Sequence, residues 1–382
     1  MAARPLGIEG RKVADKATGA TGRKRMKYVP VRHAAVGLAF AAGLFVGSPA
    51  LAQTTQTMLD ATKPGDKYRV YVANEYNADI TVIDATTDAV IGTIPISGRP
   101  GLVRPRGMAL SPDGTIIYVS ISDFHPEFEV TEDKIVAIDV RTNQILQEFR
   151  AGGNPERIAL SPDGKQVWAS LEALAQGGGY DIATGTQFVQ FRVGIEAEGV
   201  AVSPDGKWVY VTAEATHTTT VYDVENKKIL KHILVGNRPR AVAFSLDGSK
   251  AYVSAEIGGT ISVIDVNKNH TLVASINLGL DSRPVELVVD PSGKYVYVAG
   301  GGTSAIYVID MATNKVVNTI KEKMGRRPWG VTITLDGKKV YTANGLSDSV
   351  SVVDPDCMCV IKNIAVGRGA HSVQIGRIPA GV

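Results

Sequence analysis

Between Lys67 and Gly376 the chain repeats one phrase seven times, and few folds can satisfy that constraint. An aromatic residue inside a β-branched run falls at Tyr71, Tyr118, Trp168, Tyr210, Tyr252, Tyr297 and Tyr341. An aspartate closing a second such run follows at Asp84, Asp139, Asp181, Asp223, Asp265, Asp310 and Asp354. The separation is 13 residues in six units and 21 in the second. Each unit carries four short apolar runs, shown in one copy by PRAVAF, KAYVSA, TISVIDV and KILKHILVG. These read as strands A to D of one antiparallel unit. Ser-Pro-Asp-Gly or a variant joins A to B, where Pro presets the first corner and Gly closes the turn. The aspartate after strand C makes the C–D turn with its side chain. Seven such units predict an all-β chain, a seven-bladed β-propeller whose radial packing hides sheet edges. The repeat opens on a B strand at Lys67 and closes on an A strand near His371. The C-terminus must therefore complete the first blade and latch the ring.

In such a ring the A–B and C–D turns share one face, and the B–C and D–A loops share the other. The turns are uniform; the loops are not. Unit two has eight extra residues in its B–C loop, around SDFHPEFEVTED, and a long D–A loop, SGRPGLVRPRG, leads into it. Shorter insertions occur in GLDSRPVE and EKMGRRPW. All four fall on the loop face, which marks it as the binding face. The residues ahead of each innermost strand ring the channel there. They are Arg104 and Arg106, Glu156 and Arg157, Glu198, Arg238 and Arg240, Arg283 and Glu286, Arg327 and Trp329, and His371. The B–C loops add Glu75, His125, Glu172, Glu214, His217 and Glu256. One reading is an Arg–Glu belt that ties neighbouring blades. As a set, mixed Arg, Glu, His and Trp around a pore suit a small polar or anionic ligand, or a loop of a partner.

Charge narrows the classes of partner. Nine of the 41 Lys/Arg and two of the 38 Asp/Glu lie in residues 1–52, so the body holds 32 basic and 36 acidic residues and carries no basic footprint for nucleic acid. Residues 1–52 read as a leader: RKRMKYVPVRH is a positive segment, AAVGLAFAAGLFVG an apolar one, and SPALAQ a small-residue cleavage site after Ala52. The true start is Met1 or Met26. Export to the periplasm, no membrane span after cleavage and a monomeric body are expected. The domain reading is leader 1–52, linker 53–66, propeller 67–376 and tail 377–382. Cys357 and Cys359 read as two small residues near a strand start, with a C-x-C disulfide as the alternative. His125, His217 and His371 share the loop face but belong to separate units, and no metal or cofactor is expected there. His232 falls on an outer strand and His270 in a C–D turn. No covalent haem motif, nucleophile elbow or zinc-protease helix motif occurs, and the glycines at 177–179 sit in a poorly formed C strand.

YVANEYNADITVIDATT, RPRGMALSPDGTIIYVS and VSAEIGGTISVIDV resemble the YVTN-type propeller repeat. The order RPRG, NPER, EAEG, RPRA, RPVE, RPWG further resembles the propeller proteins associated with PQQ-dependent catabolism. That resemblance implies a periplasmic, non-catalytic binding or accessory protein that serves a quinoprotein alcohol oxidation pathway. Its implied partners are a quinoprotein dehydrogenase or a c-type cytochrome. The chain lacks the tryptophan repeats with which the dehydrogenases themselves hold PQQ. Two alternatives stand beside it: a lactonase-like or lyase-like enzyme using a Glu/His/Arg cluster, and a metal or tetrapyrrole carrier like the d1-haem propellers.

Overall fold

A computed structural model describes residues 65–124 and 132–380, and all statements of structure concern these. Seven four-stranded antiparallel sheets are arranged as blades. The innermost strands are Ala370–Ile378 in blade 1, then Val103–Leu110, Pro155–Leu160, Ala197–Val202, Pro239–Phe244, Pro284–Val289 and Pro328–Ile333 in blades 2 to 7. Consecutive inner strands lie side by side around the full ring, the last against the first. Blade 1 is completed by the C-terminus: Ala370–Ile378 pairs antiparallel with Lys67–Asn74 from Lys67↔Ile378 to Asn74↔Ala370. This is the latch expected from the phase of the repeat. The strand runs two residues past Gly376, and Arg377 Nε meets Asp66 Oδ2 at 2.7 Å while its N–H donates to Gly114 O at 2.7 Å, tying blade 1 to blade 2. Among the described residues no helix is long and apolar enough to cross a membrane.

The alternation of each strand buries one side chain set into each blade interface. Seven apolar clusters result; that between blades 7 and 1, for example, joins Val70, Val72 and Ile83 to Tyr341, Val350 and Val352. The repeated B-strand aromatics Tyr71, Trp168, Tyr210, Tyr252, Tyr297 and Tyr341 are fully buried, and Tyr118 nearly so. They are scaffold. The repeated aspartates cap the C–D turns as expected: Asp84 Oδ1 accepts from Thr86 N and Thr87 N, and Asp310 Oδ1 from Thr313 N. In the A–B turn Asp113 Oδ1 accepts from Ser111 Oγ and Thr115 N, with Gly114 at φ +78°.

Two expectations need correction. The C strand of blade 3, Gln176–Asp181, is paired on both sides, with one slip against its D strand between Gly179 and Tyr180, and is not poorly formed. Its glycines make room for rings: a Cβ on Gly177 would sit 2.4 Å from Phe191, and one on Gly179 2.7 Å from Phe188. The two cysteines are joined as a Cys357–Cys359 disulfide, the reading kept as the alternative.

Candidate functional site

Every inner strand starts with a register slip against its B strand, for example between Pro155 and Ile158 in blade 3 and between Pro239 and Val242 in blade 5. The slip leaves two consecutive residues unpaired in blades 1 to 6 and one, Trp329, in blade 7. The first of these in each blade forms an upper ring: His371, Arg106, Glu156, Glu198, Arg240, Val285 and Trp329 in blades 1 to 7. The residue after it forms a lower ring of Ser372, Gly107, Arg157, Gly199, Ala241, Glu286 and Gly330. The first B–C residue closes over the upper ring with Glu75, Phe124, Glu172, Glu214, Glu256, Gly301 and Gly345.

In blades 2 to 5 one hydroxyl per blade fixes these positions. Ser170 Oγ accepts from Arg157 N at 3.0 Å and donates to Glu198 O of the next blade. Ser120, Thr212 and Ser254 do the same, reaching Glu156 O, Arg240 O and Val285 O. The blades touch closely here: a Cβ on Gly199 would lie 2.2 Å from Arg240 O, so glycine is needed for the approach. In blades 6, 7 and 1 the hydroxyl is replaced by Ala299, Ala343 and Ala73. Those are the blades whose upper-ring residues are Val285, Trp329 and His371.

Charge therefore concentrates over blades 2 to 5. Arg106 pairs with Glu75 and Glu156 and lies 3.9 Å from Glu198. Arg104 reaches Glu156 at 2.9 Å and covers the Phe124 ring. Arg240 pairs with Glu214, with Glu256 at 2.7 Å and with Glu198 at 3.0 Å. Arg238 adds Glu214 at 2.6 Å, and Arg327 adds Glu256 at 3.1 Å. Below them Arg157 crosses from blade 3 to Glu286 of blade 6 and Ser372 Oγ of blade 1, so it closes the channel as a floor. Trp329 is the aromatic wall, stacked on His371 at 5.2 Å and facing Arg327 and Arg240.

The belt reading and the site reading are both visible, and protonation separates them. Glu156 is held below the usual carboxylate range, because Arg106 and Arg104 outweigh its burial. Glu172, beside it, is pushed up to about 8 by burial and by the charges of Glu156 and Glu198. It accepts from Asn154 Nδ2 at 2.6 Å, and its surroundings favour the protonated acid. Burial and Glu198 also raise Glu214, against the pull of Arg240 and Arg238. His371 is 1% exposed, and its Nε2 has no hydrogen-bond partner among the described residues. Burial and the guanidinium charges of Arg106, Arg157, Arg104 and Arg240 hold it well below the ordinary histidine range, so it is a neutral imidazole. Its Nδ1 lies 3.3 Å from Ser372 Oγ.

Among the described residues, Glu156, Glu172 and Glu198 bring oxygens within 4.8 Å of one another, the geometry a divalent cation needs. The donor set argues against one. Arg104 and Arg106 already neutralise Glu156, and the raised affinity of Glu172 for a proton satisfies the remaining charge. His217 does not join the ring; its Nδ1 lies 2.8 Å from Glu214 O and 3.1 Å from Arg238 N, which ties two loops together. Arg283 is exposed and makes no ion pair among the described residues, and His125 lies outside them. Sequence reasoning placed the rest of its candidates on one mouth. It overlooked Ser372 and Phe124, small or apolar neighbours of the histidines it had chosen.

Residues 199–358 match the model of the family described as lactonase, 7-bladed β-propeller. A periplasmic gluconolactonase of Pseudomonas aeruginosa superposes with a TM-score of 0.67 at 18% identity, covering 82% of this chain and all of the other. A candidate 6-phosphogluconolactonase of Bacteroides fragilis gives 0.64 at 17%, over 82% and 99%. A dihydro-haem d1 dehydrogenase gives 0.58 at 16%, over 82% and 75%. At these identities the superpositions show the shared fold. Antigen Lp49 of Leptospira interrogans is 29% identical over 105 residues, and the chain spans only 22% of that relative's length. The family matched is the lactonase family, not the propellers associated with PQQ-dependent catabolism. This corrects the expectation of a non-catalytic accessory protein serving a quinoprotein pathway. The lactonase-like alternative is the one supported.

Proposed function

We propose that the loop-face mouth hydrolyses a lactone, opening the ring to a hydroxy acid. The observation that carries the reading is His371, a buried neutral imidazole whose Nε2 has no hydrogen-bond partner among the described residues, in a ring rich in arginine. With Nδ1–H donated to Ser372 Oγ, Nε2 takes a proton from water as the water oxygen attacks the lactone carbonyl carbon. The guanidinium groups of Arg106 and Arg240, fixed by their glutamates, hold the negative charge that forms on the carbonyl oxygen. Collapse of that intermediate breaks the ring C–O bond, and Glu172 donates its proton to the departing alkoxide. His371 returns its proton to solvent, Glu172 takes one back from solvent, and the carboxylic acid product ionises. Trp329 offers a flat apolar face for one side of the ring. The match over residues 199–358 supports the reaction class. Export to the periplasm rests on the leader-like residues 1–52 and on the periplasmic location of the Pseudomonas relative.

The test is a pH-stat assay with γ-butyrolactone and glucono-δ-lactone. His371→Gln, of similar size and unable to act as a base, is expected to lower kcat by about 100-fold or more with its thermal unfolding unchanged. Turnover equal to wild type in the folded variant would remove His371 from the mechanism.

A further inference from the structure

The insertion GLDSRPV, between blades 5 and 6, does more than lengthen a loop. It forms the turn Leu280–Ser282 and borders a groove of 720 Å³. Asn237 and Arg283, from the loops that lead into the inner strands of blades 5 and 6, also line it. Its walls are Leu234, Ile257, Leu272 and Leu280, which are 69%, 47%, 41% and 73% exposed. Thr260 lies in its floor, with a buried Oγ1 that has no hydrogen-bond partner among the described residues.

Two facts separate this groove from ordinary surface. The repeat builds a related groove at blade 3, lined by Leu174 and Ile195, but that one measures 370 Å³. The larger volume occurs where the sequence departs from the repeat. In addition, Ile257 directly follows Glu256, a mouth residue that pairs with Arg240 and Arg327, so one B–C loop serves both the groove and the mouth. Four large aliphatic side chains held open to water have an unfavourable exposure that a chain of methylenes would remove.

The geometry points to this groove as the subsite for an aliphatic tail, so that the preferred substrate is a lactone bearing an alkyl chain. The inference rests on the lactone-hydrolysis reading for the position of the ring. The ring carbonyl would lie in the mouth, and the chain would extend between Leu234 and Leu280. A sugar lactone, hydroxylated at every carbon, gains nothing from such walls.

The experiment measures kcat/KM for γ-butyrolactone, γ-hexalactone, γ-octalactone and γ-decalactone. It compares wild type with Leu280→Asp and Leu234→Asp, both at exposed positions. The expected result is a rise of about fourfold per added methylene. The variants should flatten that rise while leaving γ-butyrolactone turnover unchanged. A flat series in wild type with γ-butyrolactone hydrolysed would overturn the groove and leave the lactonase reading standing. If no lactone is turned over, the hydrolysis reading fails, and titration calorimetry of γ-decalactone decides the groove separately. Binding that is weakened by Leu280→Asp supports it, and absence of binding overturns it.

Discussion

Replacing Glu172 by Gln isolates the group on which the proposed proton donation depends. Gln keeps the shape and the contact with Asn154 but can neither ionise nor donate an acidic proton. In the native protein the carboxyl is held near 8 instead of 4.5 by burial and by Glu156 and Glu198. A folded-state value above the unfolded one means the native protein binds the extra proton. Its stabilising share is complete below pH 4.5 and is lost as pH rises through 8. At about 1.4 kcal/mol per pH unit the full gap is about 5 kcal/mol. The side chain is 31% exposed, and solvent screening reduces that to about 2 kcal/mol. Urea unfolding of wild type and variant between pH 5 and 9 should therefore show the variant gaining about 2 kcal/mol relative to wild type as pH rises. Glu214 and Glu286, raised in the same sense, affect both proteins equally, so the difference curve reports Glu172. In the pH-stat assay the same variant should lose roughly 100- to 10,000-fold in kcat. A flat difference curve together with wild-type turnover would refute the reasoning.

Four further outcomes follow from the same structure. The imidazole of His371 is kept neutral, so the acidic limb of the kcat/KM profile should lie below pH 6.5, and a limb above that value would contradict its environment. Arg157→Ala should cost about 3–5 kcal/mol in chemical denaturation by stranding Glu286, and Arg157→Met with Glu286→Leu should recover most of it. Ser170→Ala removes the bridge between Arg157 N and Glu198 O, and should cost about 1–3 kcal/mol and lower turnover together. Ending the chain at Gly369 removes the closing strand with buried Val373 and Ile375, and should abolish cooperative unfolding; a sharp transition in that product would contradict the latch.

Much of this was legible because the fold is periodic. The spacing from Tyr71 to Asp84, repeated around the ring, gave blade number, strand order and closure, since each blade buries its aromatic by the same contacts. Position on the loop face followed from register alone, which is why Arg106, Glu156, Glu198 and Arg240 do meet. The glycines at 177–179 misled because β-propensity does not register space taken by Phe188 and Phe191 from neighbouring positions. The state of each ionisable group was also hidden. Glu156 and Glu172 are the same residue type within one blade, and only three-dimensional charge lowers one and raises the other. Function was misjudged for a related reason: the repeat phrases that suggested an accessory protein encode blades, and blades are common to many activities.

The central claim is that a neutral histidine and an uncharged glutamic acid, set in a ring of arginines, open a lactone ring. The most direct test is proton release on mixing γ-butyrolactone or γ-decalactone with purified protein, alongside His371→Gln and Glu172→Gln. The account predicts hydrolysis by wild type and its loss in both variants, each retaining the wild-type circular dichroism spectrum. Hydrolysis that survives in both variants, or that wild type never shows, would contradict it.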